Sequence, residues 1–392
     1  MLISVALVIL LALIVGGLLQ KIHLPALIGL LFIGIILGPH ALNLLHPNLL
    51  AISSDLREFA LIVILTRAGL SLDISDLKKV GRPALLMCFL PALVEILATA
   101  ILAPLLLDFT LSQALLLGSI VAAVSPAVVV PRMLKLIQED YGTEKKIPQI
   151  ILAGASVDDV FVLVLFSAFI GLNQGESFSA GTLLQIPVAI LLGLCGGILV
   201  GWLLTKVFTY FHLRDSIKVL ILISCSFLLM ALEDWLVDFV AFSGMLSVMA
   251  VSLTLFKLKP PVAKRLSVKF NKIWLVAEIF LFVLVGATVN VKFAFAAGFA
   301  PLLLILSISV FRMFGVFLSL LGTNLNRKER LFSMISYLPK ATVQAAIGSI
   351  PLSLGLAQGE MMLTVAVLAI LVTAPVGALG IDLLYKKLLI KS

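Results

Sequence analysis

Asp158 and Asp159 stand side by side in Gly154-Ala155-Ser156-Val157-Asp158-Asp159-Val160, near the middle of an apolar run from Ile147 to Leu172. About 20 helical residues cross a bilayer, so the run is long enough to do so. A carboxylate at the centre of such a helix costs at least ~2.5 kcal/mol on insertion scales. Carboxylates held there face a protein interior or a wet cavity, and they mark a route for ions or protons. Burial disfavours the charged carboxylate and a nearby cation favours it. A proton and a metal ion then compete for the same oxygens, which is what exchange of one for the other requires. Adjacent helical positions point about 100° apart, so one aspartate can face a fixed cationic partner while the other faces the cavity.

Two other readings of the pair meet physical objections. The dyad of a membrane aspartyl protease needs two carboxyl groups sharing a proton across about 3 Å. Side chains at i and i+1 of one helix do not converge in that way. A capping pair needs free N–H groups, which a helix centre does not offer. Hard monovalent cations take oxygen ligands. The sequence supplies Asp159, Asp158, Ser156 and Ser125 as candidate ligands, with backbone carbonyls wherever a nearby helix is broken.

The elements that must hold these residues are apolar throughout. Of 392 residues, 62% are hydrophobic and 12% charged, with a mean hydropathy of +1.23. A soluble domain carries roughly 25% charge, so the composition indicates a polytopic, all-α membrane protein. The net charge of +8 suits an anionic lipid surface, since the basic residues lie between apolar runs and form no basic domain. Cys88, Cys195 and Cys225 sit inside apolar runs without paired spacing and read as small core residues. His23, His40, His46 and His212 are too scattered for a metal cluster, and no phosphate loop or dinucleotide fingerprint is present. The first twenty residues have no basic n-region or cleavage site and read as a retained helix.

Thirteen runs are expected to cross: 2–20, 24–39, 56–72, 83–107, 111–136, 147–172, 183–209, 216–232, 236–256, 273–291, 297–322, 331–355 and 360–385. Of these, 24–39 and 56–72 are short. The split of 216–256 is placed at Glu233-Asp234-Trp235. All but five of the 28 Lys and Arg fall after odd-numbered runs or at the C-terminus; the exceptions are Arg57, Lys292, Arg67, Arg312 and Lys340. The positive-inside rule then places the N-terminus outside and the C-terminus in the cytoplasm. Setting 183–209 aside as a linker leaves six runs on either side in opposite orientation. The repeats are 1–172 and 216–392, the arrangement of an inverted-repeat transporter. Runs 5 and 12 are interrupted at matching places, by Ser125 to Pro131 with Pro126 and Pro131, and by Leu338 to Gln344 with Pro339. Proline removes a helical hydrogen bond and crowds the preceding turn, and the freed backbone must be buried in protein or line a cavity. Gly193, Gly197 and Gly201, with Gly196 beside them, read as a close helix contact.

Seven ionisable residues lie inside the runs: Arg67, Glu95, Asp158, Asp159, Glu278, Arg312 and Lys340. Buried charges need partners. Glu95 and Arg312 sit mid-run on repeat counterparts and are expected to pair, while Lys340, at the break of run 12, is placed to face Asp158. Arg67 can snorkel to an interface, and Glu278 has no assigned partner.

Taken together, Thr66-Arg67-Ala68-Gly69-Leu70-Ser71-Leu72-Asp73, Pro91-Ala92-Leu93-Val94-Glu95, Ser125 to Pro131, Gly154 to Val160, and Leu338 to Gly348 resemble the sodium/proton antiporters of the cation:proton antiporter superfamily. The resemblance is to the double-aspartate group and its NHA branch. It implies two inverted six-helix repeats, with core helices at about 83–172 and 297–385, the remainder forming a dimerisation scaffold. It also implies a homodimer and alternating access of an elevator-like kind, with the two broken helices crossing near the membrane centre. Asp159 would be the ion- and proton-binding carboxylate, with Asp158 beside it. Many double-aspartate members carry a lysine where this chain has Arg312, and the NHA branch carries arginine. There the arginine looks tied to the glutamate matching Glu95, and the lysine matching Lys340 lies near the first aspartate. Arginine holds its charge where a buried lysine can release a proton, so the proton count per cation stays open.

The expected activity is exchange of Na+ or Li+ for H+ across a cytoplasmic (inner) membrane, with no cofactor and no enzymatic chemistry. The alternatives are a K+/H+ exchanger or channel-like relative, a sodium-coupled symporter of an organic anion, and an intramembrane hydrolase.

Overall fold

The structure is a computed structural model that describes every residue except 23, 72–80, 175–179, 212, 237–238 and 392; the side chains of 71, 156, 174 and 180–186 also lie outside the described set. In chain order the helices are α1 (Leu2–Lys21), α2 (Ala26–Leu37), α3 (Pro47–Ala51), α4 (Ser53–Ser71), α5 (Arg82–Met87), α6 (Leu90–Leu107), α7 (Leu111–Val121), α8 (Pro126–Gln138), α9 (Ile147–Gln174) and α10 (Ala180–Tyr210). They continue as α11 (Asp215–Leu236), α12 (Gly244–Leu258), α13 (Pro260–Thr288), α14 (Val291–Ala296), α15 (Ala300–Ser319), α16 (Arg327–Ser336), α17 (Thr342–Ile347), α18 (Ile350–Ser353) and α19 (Gly359–Leu388). Among the described residues the only bridge between extended segments joins Tyr141 to Lys391.

Each run read from the sequence overlaps one helix or several in series. Among the described residues, nine spans are long and apolar enough to cross a membrane. The runs outside that count correspond to the short helices α2 and α12, to α4 with Asp55, Arg57, Glu58 and Arg67, and to the broken series α16–α18. Leu10, Ile101, Leu105, Leu191, Leu228 and Val310 are exposed on the spans. In water such faces would be a liability, whereas lipid covers them without cost. The protein is a multi-pass membrane protein.

Two boundaries differ from the sequence reading. The eighth run does not stop at Glu233: α11 continues through Trp235 to Leu236, and α12 begins only at Gly244. Glu233 Oε2 accepts the Gly244 amide at 2.9 Å, and Ser243 caps the same start through Leu246 N. The acidic residue that looked like a helix break thus serves the next helix as a cap. The tenth run starts at Pro260, not 273; proline suits a first helical turn, and the basic residues read as a loop form the first turns of α13.

The chain divides into two compact units. One comprises Met1–Ser54, Ile74–Val162 and Leu281–Ser392, the other Asp55–Asp73 and Leu163–Phe280. In the second, α10 and α12 approach closely. A Cβ on Gly201 would lie 2.8 Å from Val251 O, and Ser247 Oγ donates to Gly193 O at 2.5 Å. The stripe of small residues therefore packs one helix onto another, as its spacing implies. In the first unit α15 lies along α6 and α6 along α7, while α19 packs on α16 and α18. Its core gathers Met87, Val129, Met133, Ile151, Val316, Phe332, Tyr337 and Ile381.

Candidate ion-binding site

The site is built on two gaps in helical structure. The chain leaves α7 after Val121 and re-enters helix at Pro126. A residue before proline is pushed out of the helical region, and Ser125 is extended at φ −87, ψ 110. α16 ends at Ser336 and α17 starts at Thr342, with Pro339 between them. Ser125 N donates to Pro339 O at 2.7 Å, so the two gaps touch. Pro131 does not break its helix, contrary to the sequence reading: α8 runs through it to Gln138. The proline forfeits only the bond to Ala127 O, and the next residue, Arg132, donates through Nη1 to Val128 O at 2.9 Å.

Breaking α7 leaves the carbonyls of Val121, Ala122 and Ala123 without helical donors. Side chains from elsewhere in the chain replace them. Lys340 Nζ donates to Val121 O at 2.6 Å, Arg312 Nη1 to Ala122 O, and Gln344 Nε2 to Ala123 O at 2.9 Å. Arg312 Nε also donates to Tyr337 O at 2.7 Å, at the end of α16. Both cations thus sit at helix C-termini, where the partial charge is negative.

The same two cations hold two carboxylates. Arg312 Nη1 lies 2.9 Å from Glu95 Oε2, and Nη2 lies 2.9 Å from Asp158 Oδ2. Lys340 Nζ lies 2.6 Å from Glu95 Oε1. All four side chains are fully buried. The tetrad balances two acids with two bases, and low-dielectric burial makes such a closed set hard to break at any one member. Lys340, expected to face Asp158, bonds to Glu95 instead, and Arg312 spans both acids because its planar fork offers several donors where an ammonium is a point charge.

Close helix approaches bring these groups together. Gly315, one turn beyond Arg312 on α15, lies so near α6 that a Cβ would come 2.7 Å from Pro91 Cα. Gly154, one turn before Asp158 on α9, faces Met87 and the Tyr337 hydroxyl, which a Cβ would overlap. Tyr337 Oη in turn donates to Met87 O at 3.1 Å.

Asp158 is fully buried and accepts from Val124 N at 2.7 Å as well as from Arg312. The aspartate's own helix offers no free N–H to cap, but the broken neighbour does, and Asp158 caps it at Val124 N. Asp159 is 7% exposed. Among the described residues Ser125 Oγ, Thr342 Oγ1, Gln344 Oε1 and Asp158 Oδ1 are buried without a hydrogen-bond partner. Ser156 is on α9, but its side chain is outside the described set. Arg67 lies over the Trp274 ring at 5.8 Å, in the second unit, and Glu278 is on the same helix as Trp274. Sequence reasoning gave no role to Gln344, Tyr337 or Thr373, whose hydroxyl accepts from Lys340 N at 3.0 Å. Gln344 was detectable, being an amide side chain inside an apolar run. Tyr337 holds Arg312 Nε through its carbonyl, a role that carries no side-chain signal.

Residues 7–387 match the sodium/hydrogen exchanger transmembrane family. The chain belongs to that family. Sodium/hydrogen exchanger 9B2 from Mus musculus is 33% identical over 390 residues, covering 94% of this chain and 69% of that protein. The Homo sapiens 9B2 protein is 32% identical over 389 residues, at 94% and 70% coverage. Sodium/hydrogen exchanger 9B1 from Homo sapiens is 31% identical over 406 residues, at 96% and 76%. Among solved structures, the sodium proton antiporter MjNhaP1 from Methanocaldococcus jannaschii at pH 8 superimposes with a TM-score of 0.79 at 22% identity, covering 97% of this chain and 95% of that one. That likeness establishes the fold. A member of the exchanger family is a transporter, not an enzyme.

Proposed function

We propose that this exchanger-family protein moves Na+ or Li+ against H+ by alternating access, the two cargoes competing for Asp159 with Asp158 as its fixed neighbour. The carrying observation is the division of labour between adjacent carboxylates. Asp158 is committed to Arg312 and Val124 N, and Asp159, one residue on, is the more accessible of the two. Successive helical side chains diverge by about 100°, so anchoring one aims the other elsewhere. Oxygen ligands for a hard, partly dehydrated ion are at hand: Ser125 Oγ, Thr342 Oγ1 and Asp158 Oδ1 are all buried and lack hydrogen-bond partners among the described residues. Two broken helices meeting beside buried carboxylates is the arrangement by which transporters hold ions at mid-membrane. The charge asymmetry of the loops supports a C-terminus in the cytoplasm and an N-terminus outside, in a cytoplasmic membrane. The names of the relatives and of MjNhaP1 support sodium and protons as cargo, and the family resemblance supports a homodimer around inverted six-helix repeats.

Purified protein in proteoliposomes with a preset pH gradient tests the reading. Addition of Na+ or Li+ dissipates the gradient, K+ does so less, and Asp159→Asn removes the response while the protein remains folded. Na+-driven proton movement in Asp159→Asn at near wild-type rate refutes the assignment. Gradient dissipation by K+ alone indicates a K+ exchanger, and Na+ uptake stimulated by an organic anion without proton counterflow indicates a symporter.

A further inference from the structure

Gln344 and Asp158 grip opposite ends of a single peptide group. Gln344 Nε2 donates to Ala123 O at 2.9 Å, and Val124 N, the other end of the same peptide plane, donates to Asp158 Oδ2 at 2.7 Å. A trans peptide points its C=O and N–H in opposite directions, so the two side chains approach from opposite sides. This peptide lies in the gap between α7 and α8, where no helical ladder fixes it. Of the three carbonyls freed at the end of α7, those of Val121 and Ala122 are held by the cations Lys340 and Arg312, and that of Ala123 by the neutral carboxamide, which also reaches Val121 O at 3.4 Å. Ala123 and Gln344 are 0% and 1% exposed, so solvent does not take over that bond.

We propose that Gln344 is a positioning residue for ion exchange, acting on Asp158 through the Ala123–Val124 peptide. Its bond to the carbonyl fixes the peptide's orientation and polarises it. Hydrogen bonds in a chain strengthen one another in a low-dielectric site. The Val124 N–H is thereby aimed at Asp158 and made a better donor. Asp158 in turn sets the place of Asp159. The inference rests on the antiport reading and adds a residue that touches neither cargo. It also accounts for an amide, and not a third cation, at Ala123: another positive charge would unbalance the tetrad of two acids and two bases.

The test compares Gln344→Met, which keeps length and volume without the donor, with Gln344→His, whose Nε2–H reaches about as far as the carboxamide. Na+-dependent proton release is measured in proteoliposomes across a range of Na+ concentrations at fixed pH. Wild-type exchange tests the antiport reading by itself; only the variants test Gln344. Gln344→Met is expected to raise the KM for Na+ by about tenfold, the equivalent of one lost hydrogen bond, with Vmax within about twofold. Gln344→His is expected to bring KM back toward wild type. An unchanged KM in Gln344→Met overturns the proposal, as does an equal rise in both variants, which would make the effect one of packing. If Gln344→Met does not fold, Gln344→Asn shortens the reach by one methylene and is judged by the same KM criterion.

Discussion

Arg312 Nη2 lies 2.9 Å from Asp158 Oδ2, with both side chains fully buried. The guanidinium also holds Glu95 and two backbone carbonyls. One residue on α15 thus joins α6, the gap after α7, α9 and the end of α16. A lysine here would not reproduce all these contacts, because one ammonium cannot present donors in so many fixed directions.

This arrangement predicts which second substitution rescues the loss of Arg312. Arg312→Ala strands a buried carboxylate and is expected to cost about 3–5 kcal/mol. If Glu95 were the sole partner of Arg312, as the sequence pairing suggests, Glu95→Ala would be the rescuer. In the structure Glu95 keeps Lys340 when Arg312 is removed, whereas Asp158 loses the guanidinium bonded to it. Asp158→Asn should therefore restore more of the stability than Glu95→Ala does, with a coupling energy of about 0.5–3 kcal/mol. Thermal unfolding of the two double-mutant cycles in detergent checks this. Larger coupling to Glu95 than to Asp158 would remove the proposed division of roles.

Gly154 and Gly171 form a matched test of close packing on α9. Helix propensity favours alanine over glycine at either position by about 0.5–1 kcal/mol. Among the described residues a Cβ at Gly171 meets nothing within 4 Å, while one at Gly154 overlaps the Tyr337 hydroxyl and comes 2.7 Å from Met87 Cβ. Gly171→Ala is expected to raise the unfolding temperature. Gly154→Ala is expected to lower stability by about 1–3 kcal/mol through overpacking and to slow exchange, since Tyr337 also supplies a carbonyl to Arg312. Equal shifts in the two variants would show that the contact at Gly154 relaxes without consequence.

How far these relationships could be read in advance depended on what each one rests on. Apolar length located the helices because lipid demands internally satisfied backbone. Pro126 and Pro339 located both gaps, because proline acts on its own local backbone. Pro131 misled because one proline forfeits one helical bond, that to Ala127 O, and the helix carries on past it to Gln138, with Arg132 tied to Asp382 on α19. The Glu95–Arg312 pair was legible from two mid-run charges of opposite sign. The Lys340–Glu95 bond was not, since choosing among several buried partners requires knowing which helices touch. Backbone roles, such as Tyr337 O and the Ala123–Val124 peptide, leave no mark on side-chain identity. Glu233 looked like a break because a charge in an apolar run suggests an end, yet its carboxylate caps the following helix.

Counting charges gives a prediction about voltage. Glu95 and Asp158 are matched one for one by Arg312 and Lys340 within direct bonds. Arginine stays charged through any cycle, and Glu95 and Lys340, each with a bond to the other, have reason to change charge only together. On the proposed reading Asp159 is the fifth charge, and the single carboxylate on which a proton and an alkali cation trade places. One H+ for one Na+ moves no net charge. Exchange rates in proteoliposomes are therefore expected to be the same at zero and at strongly negative clamped potential. Were a second proton carried per cation, each 100 mV would contribute about 2.3 kcal/mol per net charge moved. Part of that would act on the rate-limiting step, so voltage would change the rate severalfold or more. A rate that follows the clamped potential would mean that a member of the tetrad titrates during transport, with Lys340 the first candidate; Lys340→Met should then abolish the voltage dependence while leaving Na+-driven proton movement.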